Sequence, residues 1–185
     1  MFRSLLIVAT FSQLSATVLN AQPVAAQPVS AWAPSETRMI TGDMTCAVQV
    51  DFSDGTRLQL LSGVLSETLV VRLWNGDWVS LRSLRERTMP AIFQFGGLDR
   101  TWSGTFNVQT RLRLPALEFQ IRDTEAAGFL DLLGAASSLA VTGGSAAIGN
   151  YQMSGSGAAV AQIRRCAAAF RTDLDRQQAN DTFRQ

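Results

Sequence analysis

Apolar and polar residues alternate along several stretches of the chain, which is the pattern of antiparallel strands with one buried face. The first stretch has its apolar positions at Cys46, Val48, Val50 and Phe52. A longer one covers residues 102–114, and after Pro115 the alternation resumes over residues 117–121. We therefore predict strands in these regions, with Cys46 on the core side of the first.

Two turn signals divide the first half of the chain into predicted hairpins. Asp54-Gly55 follows the first strand, and a two-residue loop there would turn Leu58 and Leu60 toward solvent. Either this turn contains an extra residue or the second strand is covered on both sides, and we favour the extra residue. Asn75-Gly76 predicts a second hairpin, with a returning strand over residues 78–81.

The last third of the chain has helical spacing in two places. The first predicted helix follows its capping residue Asp123. Its apolar stripe consists of Ala126, Phe129, Leu130 and Leu133. Two short strands are predicted over residues 139–141 and 148–153, and a second helix is predicted to begin at Ser156. The inward positions of the second helix are Ala159, Ile163, Cys166 and Phe170.

These elements predict an α+β fold. We expect an antiparallel β-sheet built from hairpins, with a C-terminal helix-strand-strand-helix segment packed on one face. The predicted organisation is a signal peptide over residues 1–26, a flexible N-terminal segment over 27–37, a single domain over 38–173 and a polar frayed tail over 174–185.

The predicted signal peptide has a short basic region followed by an apolar one. Arg3 precedes an apolar run over residues 5–11, which is too short to span a bilayer. Small residues suited to cleavage occur at Ala21 and at Ala26, and we expect removal of the leader after one of them. The alternative is a disordered alanine-rich tail. No later segment is apolar over the length of a membrane span.

The composition excludes several chemistries. The chain has no histidine, and all 16 of its basic residues are arginine. Histidine-dependent triads, histidine metal sites, lysine Schiff bases and phosphate loops that need lysine are therefore ruled out within this chain. Loss of Arg3 with the leader leaves arginines and acids equal in number, so the charge does not favour nucleic acid as a partner. We expect no cofactor and no metal ion.

The two cysteines form the strongest constellation in the sequence. Cys46 and Cys166 both occupy predicted inward positions in a chain with an export signal, which favours a disulfide between them. Two free buried thiols are the main alternative. A redox-active pair is disfavoured because the chain has no Cys-x-x-Cys motif.

Candidate binding and catalytic groups are few. Four acids are candidates for a carboxylate pair of the glycosidase type, but their spacing singles out no two of them: Asp51, Glu67, Asp99 and Glu118. Tyr151 and the tryptophans could line a groove for a sugar or a peptide. The most plausible partner surface surrounds the predicted second hairpin and consists of Trp74, Trp78, Arg82 and Arg85.

A C-terminal pattern resembles small exported proteobacterial proteins of uncharacterised function. It comprises a strand, the segment Ser154 to Gly157, and a helix that contains Ile163-Arg164-Arg165-Cys166. The chain is also loosely similar to the periplasmic accessory proteins of type VI secretion. That resemblance implies a cysteine near the first strands matched by one on a closing C-terminal helix, and it supplies no catalytic motif.

The sequence thus predicts an exported periplasmic or secreted protein without an evident catalytic site. We expect it to bind or assist a protein of the bacterial envelope or of a secretion system. A small hydrolase that uses a pair of carboxylates is the alternative.

Overall fold

A computed structural model describes residues 24–35, 45–63, 68–83, 87–110, 114–122 and 124–179. Within these ranges, nine strands form a single antiparallel sheet: β1 (Ala33–Pro34), β2 (Thr45–Asp51), β3 (Arg57–Gly63), β4 (Leu69–Trp74), β5 (Thr88–Gly96), β6 (Arg100–Gln109), β7 (Ala116–Ile121), β8 (Ser138–Gly143) and β9 (Ala146–Gln152). Their order across the sheet is β1-β2-β3-β4-β7-β6-β5-β8-β9. The predicted α+β fold is therefore confirmed, and β8 and β9 belong to the sheet itself.

The β2–β3 hairpin has the register that the apolar pattern required. Val50 pairs with Leu58 and Val48 with Leu60, so the apolar side chains of both strands lie on one face. The hairpin loop after Asp51 contains one residue more than a two-residue loop, which confirms the predicted extra residue. Gly55 takes a positive φ of 80° in this turn, a conformation that favours glycine.

The second predicted hairpin is wrong. Strand β4 pairs with β7, and residues 78–81 lie in a turn and a 3₁₀ helix (Val79–Ser83) instead of a returning strand. The side chain of Asn75 explains the difference. Its amide donates to the carbonyl oxygen of Asp54 at 2.9 Å and its Oδ1 accepts from the backbone N–H of Asp77 at 2.9 Å. This local turn, anchored on the neighbouring hairpin, directs the chain out of the sheet.

Two helices cover one face of the sheet, here named the inner face. Helix α1 (Thr124–Ala135) places Phe129 against several rings of the sheet, with ring centroids 5.5 Å from both Phe93 and Trp102 and 5.4 Å from Phe95. Helix α2 (Ser156–Ala179) begins at the predicted residue and buries Ala159 and Ile163. It continues through Ala179, so residues 174–179 of the expected frayed tail are helical. The proposed cap Asp123 lies outside the described residues.

The long alternation over residues 102–114 forms β6 only as far as Gln109. Phe106 and Val108 are buried on the inner face and Trp102 is half-buried, as predicted. Leu114, which the alternation also placed inward, is 40% exposed because it follows the end of the strand.

A disulfide joins the sheet to the last helix. Cys46 of β2 is bonded to Cys166 of α2, and their Cα atoms are 5.9 Å apart. The bond closes a loop between residues 120 positions apart in sequence. The predicted pairing is therefore present.

Residues 24–35, here named the strap, bridge the two ends of the sheet. The N–H of Ala26 donates to the carbonyl of Asn150 at 2.7 Å, and Ala26 accepts from the N–H of Gln152 at 2.9 Å. Two residues later Pro28 bridges to Phe52, beyond the end of β2. The expectation for residues 27–37 was a flexible segment, whereas their described part, 27–35, is held by backbone hydrogen bonds.

Candidate functional site

An open groove of about 1130 Å³ lies on the outer face of the sheet, away from the helices. Outward-facing residues of β5, β8 and β9 form its floor. These residues are Gln94, Ala140, Thr142, Ala147 and Asn150. The floor carries no formal charge and is built largely from small side chains, so its polar groups are those of the backbone, two side-chain amides and one hydroxyl.

The β5–β6 turn forms one end of the groove. A Cβ at Gly96 would lie 2.0 Å from the Ser138 hydroxyl oxygen, so a larger residue here would displace that hydroxyl. The Gly96 carbonyl accepts hydrogen bonds from the N–H and the hydroxyl of Ser137, both at 3.0 Å. Asp99 sits in the turn with a φ of 47°, and Arg100 follows it. The turn therefore places one acidic and one basic residue in a wall of the groove that hydrogen bonds hold in position.

Tyr151 supports the groove from inside the protein. It is fully buried, and its ring centroid is 4.8 Å from that of Phe52. A Cβ at Gly149 would lie 2.2 Å from the Tyr151 hydroxyl, which explains the glycine at this position. Burial raises the pKa of Tyr151 to about 12, although a hydrogen bond with Thr56 acts in the opposite direction. Tyr151 is therefore a core residue and not the exposed groove aromatic that the sequence suggested.

The outer edge of β9 borders the groove. Strand β9 pairs with β8 on one side, and on the other side the strap bonds to it through Asn150 and Gln152. Among the described residues, no strand pairs with the outer edge of Ala146–Gly149. The groove thus runs beside a short length of open sheet edge, the kind of edge to which an extended peptide can add.

The candidate acids do not converge. Asp51 pairs with Arg57, whose Nη2 lies 3.1 Å from its Oδ2. Glu118 pairs with Arg72 at 2.6 Å. Asp99 is the one acid among the described residues that line the groove. Glu67 lies outside the described residues.

Glu118 belongs to a polar network on the outer face that sequence reasoning did not detect. Arg72 donates to Glu118 Oε1 at 2.6 Å and to Gln59 at 3.2 Å, while Gln109 donates to Glu118 Oε2 at 2.9 Å. Glu118 is 4% exposed, and both of its oxygens accept hydrogen bonds. Its bonds connect β7 with β4 and β6, and they satisfy a carboxylate that is buried in the sheet. Its signal in the sequence was a charged residue between the apolar positions 117 and 119.

The predicted partner surface lies elsewhere on the molecule. Trp74 ends β4, and the Arg57 guanidinium stands 5.6 Å from its ring centroid. Trp78 is half-buried against the core, and Arg82 is exposed in the 3₁₀ helix. Arg85 lies outside the described residues. Of the three described residues, Trp74, Trp78 and Arg82, none lines the groove.

Two further properties describe the same part of the chain. No cluster of three histidine, cysteine, aspartate or glutamate side chains in the described ranges is placed to hold a metal ion. Neither helix is long and apolar enough to cross a membrane.

Comparison with known proteins found no matching protein family, no matching curated protein and no matching solved structure.

Proposed function

We propose that this chain is an exported protein of the bacterial envelope that binds a partner protein and catalyses no reaction. Its disulfide supports this proposal, because disulfides persist in oxidising compartments such as the periplasm. The leader-like N-terminus and the resemblance to exported proteobacterial proteins point the same way. The partner class is an envelope or secretion-system protein.

The groove is the proposed binding site, and its occupant is an extended segment of the partner. The observation that carries this proposal is the open edge of Ala146–Gly149 beside a floor of small, uncharged side chains. A peptide strand added to this edge would gain main-chain hydrogen bonds from β9. The side chains on one face of that strand would lie beside Ala147 at the border of the groove, and long ones would extend across the floor toward Ala140.

The alternative, a hydrolase with two carboxylates, has less support. Such a mechanism needs two acids on either side of the scissile bond. The described lining of the groove has a single carboxylate, that of Asp99. Asp51 and Glu118 are each paired with an arginine outside the groove.

A steric block of the groove floor tests the proposal. The variant Ala140→Trp places an indole on the floor, and Thr105→Trp places the same side chain on an exposed outer position of β6 beyond the groove. Tagged versions would be used to capture partners from a periplasmic and membrane extract. We expect wild type and Thr105→Trp to capture the same protein and Ala140→Trp to lose it, with unchanged thermal unfolding of all three.

Equal capture by both tryptophan variants would refute the groove as the binding site. Turnover of a glycoside or ester substrate by wild type that disappears in Asp99→Asn would favour the hydrolase instead.

A further inference from the structure

The strap bears on where the leader is removed. Ala21 and Ala26 both offer a small residue at the end of the leader. They differ in position relative to the strap, since Ala26 lies within it and Ala21 lies before it, outside the described residues. The two cuts therefore differ in whether the exported chain keeps the whole strap.

A cut after Ala26 would remove the strap's connection to β9. Ala26 makes two backbone hydrogen bonds with that strand, to Asn150 at 2.7 Å and from Gln152 at 2.9 Å, and its side chain packs against the core. The new terminal ammonium would be at Gln27, whose N–H now donates to the Ser53 hydroxyl at 3.1 Å. Two backbone groups of β9 would lose their partners at the point where the ends of the sheet meet.

A cut after Ala21 would retain every strap contact. Besides Ala26, the strap has an aromatic anchor in Trp32, whose indole N–H donates to the Ser154 carbonyl at 3.1 Å. Its Cδ1 lies 3.2 Å from the position that a Cβ would take at Gly155, so the ring packs closely on the turn before α2. Trp32 survives either cut, but only the earlier cut keeps the strap bonded to both ends of the sheet.

We infer that the leader is removed after Ala21, so that the exported chain begins at Gln22 and keeps the whole strap. This inference rests on the proposed export. The step is hydrolysis of the peptide bond between Ala21 and Gln22 by a leader-removing endopeptidase. Water supplies the hydroxyl that completes the Ala21 carboxyl group and the proton that completes the Gln22 amine. The processed N-terminus thereby becomes a structural element of the fold.

The N-terminus of the exported protein tests this inference. The full-length precursor would be expressed in a bacterium, and the intact mass of the periplasmic product measured. We expect the mass of a chain that starts at Gln22. A start at Gln27 overturns the inference and leaves the proposed export standing. An uncleaved chain retained in the cytoplasm overturns both.

A matched pair of precursor variants gives a second readout. A precursor with leucine immediately before the scissile bond is a poor substrate for the leader-removing endopeptidase, because that enzyme requires a small residue at this position. We expect Ala21→Leu to leave most of the precursor uncleaved after pulse labelling and Ala26→Leu to be processed as fast as wild type. The reverse pattern would place the cut at Ala26 and refute the inference. Measurement within minutes of synthesis makes the result independent of the final stability of each variant.

Discussion

Two connections hold the ends of this sheet, and they differ in chemistry. Near one end, Cys46 of β2 is covalently bonded to Cys166 of α2. At the other end, β9 is tied to the β2–β3 side by the strap, through hydrogen bonds at Ala26 and through the packing of Trp32. The first connection persists when the protein unfolds, whereas the second exists only in the folded state.

This difference separates two ways of stabilising a fold. A disulfide acts mainly by reducing the conformational freedom of the unfolded chain, and the effect increases with the length of the closed loop. The strap acts by forming backbone hydrogen bonds with part of the edge of β9 and by covering the contact between Phe52 and Tyr151. Changes in the disulfide should therefore alter the unfolded ensemble, and changes in the strap should alter local protection at the sheet ends.

Removal of the disulfide should have the largest effect. Replacement of both cysteines by alanine is expected to lower the free energy of unfolding by about 5 kcal/mol, because a loop of this length restricts the unfolded chain strongly. Denaturant titration followed by far-UV circular dichroism would measure the loss. Wild type under reducing conditions is the control and should behave like the double variant. A loss below about 1 kcal/mol would contradict the assigned role of the bond.

Truncation of the strap anchor should have the next largest effect. Trp32→Ala removes a half-buried ring and the hydrogen bond to Ser154, and we expect a loss of about 3 kcal/mol. Trp32→Phe keeps most of the ring contact and should lose only about 1 kcal/mol. Equal stability of wild type and Trp32→Ala in denaturant titration would show that this anchor of the strap does not stabilise the contact between the two ends of the sheet.

Ionisation of Tyr151 should have a smaller effect, confined to alkaline pH. Its pKa is raised to about 12 in the folded protein, above the ordinary value of 10.0. Between these values the unfolded state releases the proton and the folded state keeps it, so stability falls as pH rises through 10 and levels off above 12. We expect a loss of about 2 to 3 kcal/mol over this window. Tyr151→Phe should remove this pH dependence, and its persistence in that variant would assign it to another group.

Much of the sheet was predictable because successive side chains of a strand point to opposite faces of the sheet. The inward positions of β2 and the extra residue before Leu58 follow from periodicity, and the pairing of Cys46 with Cys166 follows from periodicity together with the expected export. The strands β8 and β9 followed from the glycine turn between two apolar runs. These features depend on local sequence, which periodicity reports well.

The strap and the Asn75 turn were not predictable because they depend on distant partners. Residues 24–35 have no alternating pattern, and their order comes from the edges of β2 and β9 that receive them. The Asn-Gly dipeptide favours a hairpin in isolation, but the side chain of Asn75 bonds to Asp54 on the neighbouring turn. The groove likewise combines the β8–β9 hairpin with β5, which lies much earlier in the sequence.

The two ends of the sheet meet at Phe52 and Tyr151 beneath the strap, and this contact is the central feature of the fold. Tyr151 is the single tyrosine of the chain, which also has no lysine and no histidine, so its ionisation can be followed without overlap from other side chains of that range. Spectrophotometric titration of the folded protein, with circular dichroism to verify folding at each pH, measures it directly. The account predicts a pKa of about 12. Titration at the ordinary value of 10.0 while the protein stays folded would show that the ends of the sheet are open and would contradict the account.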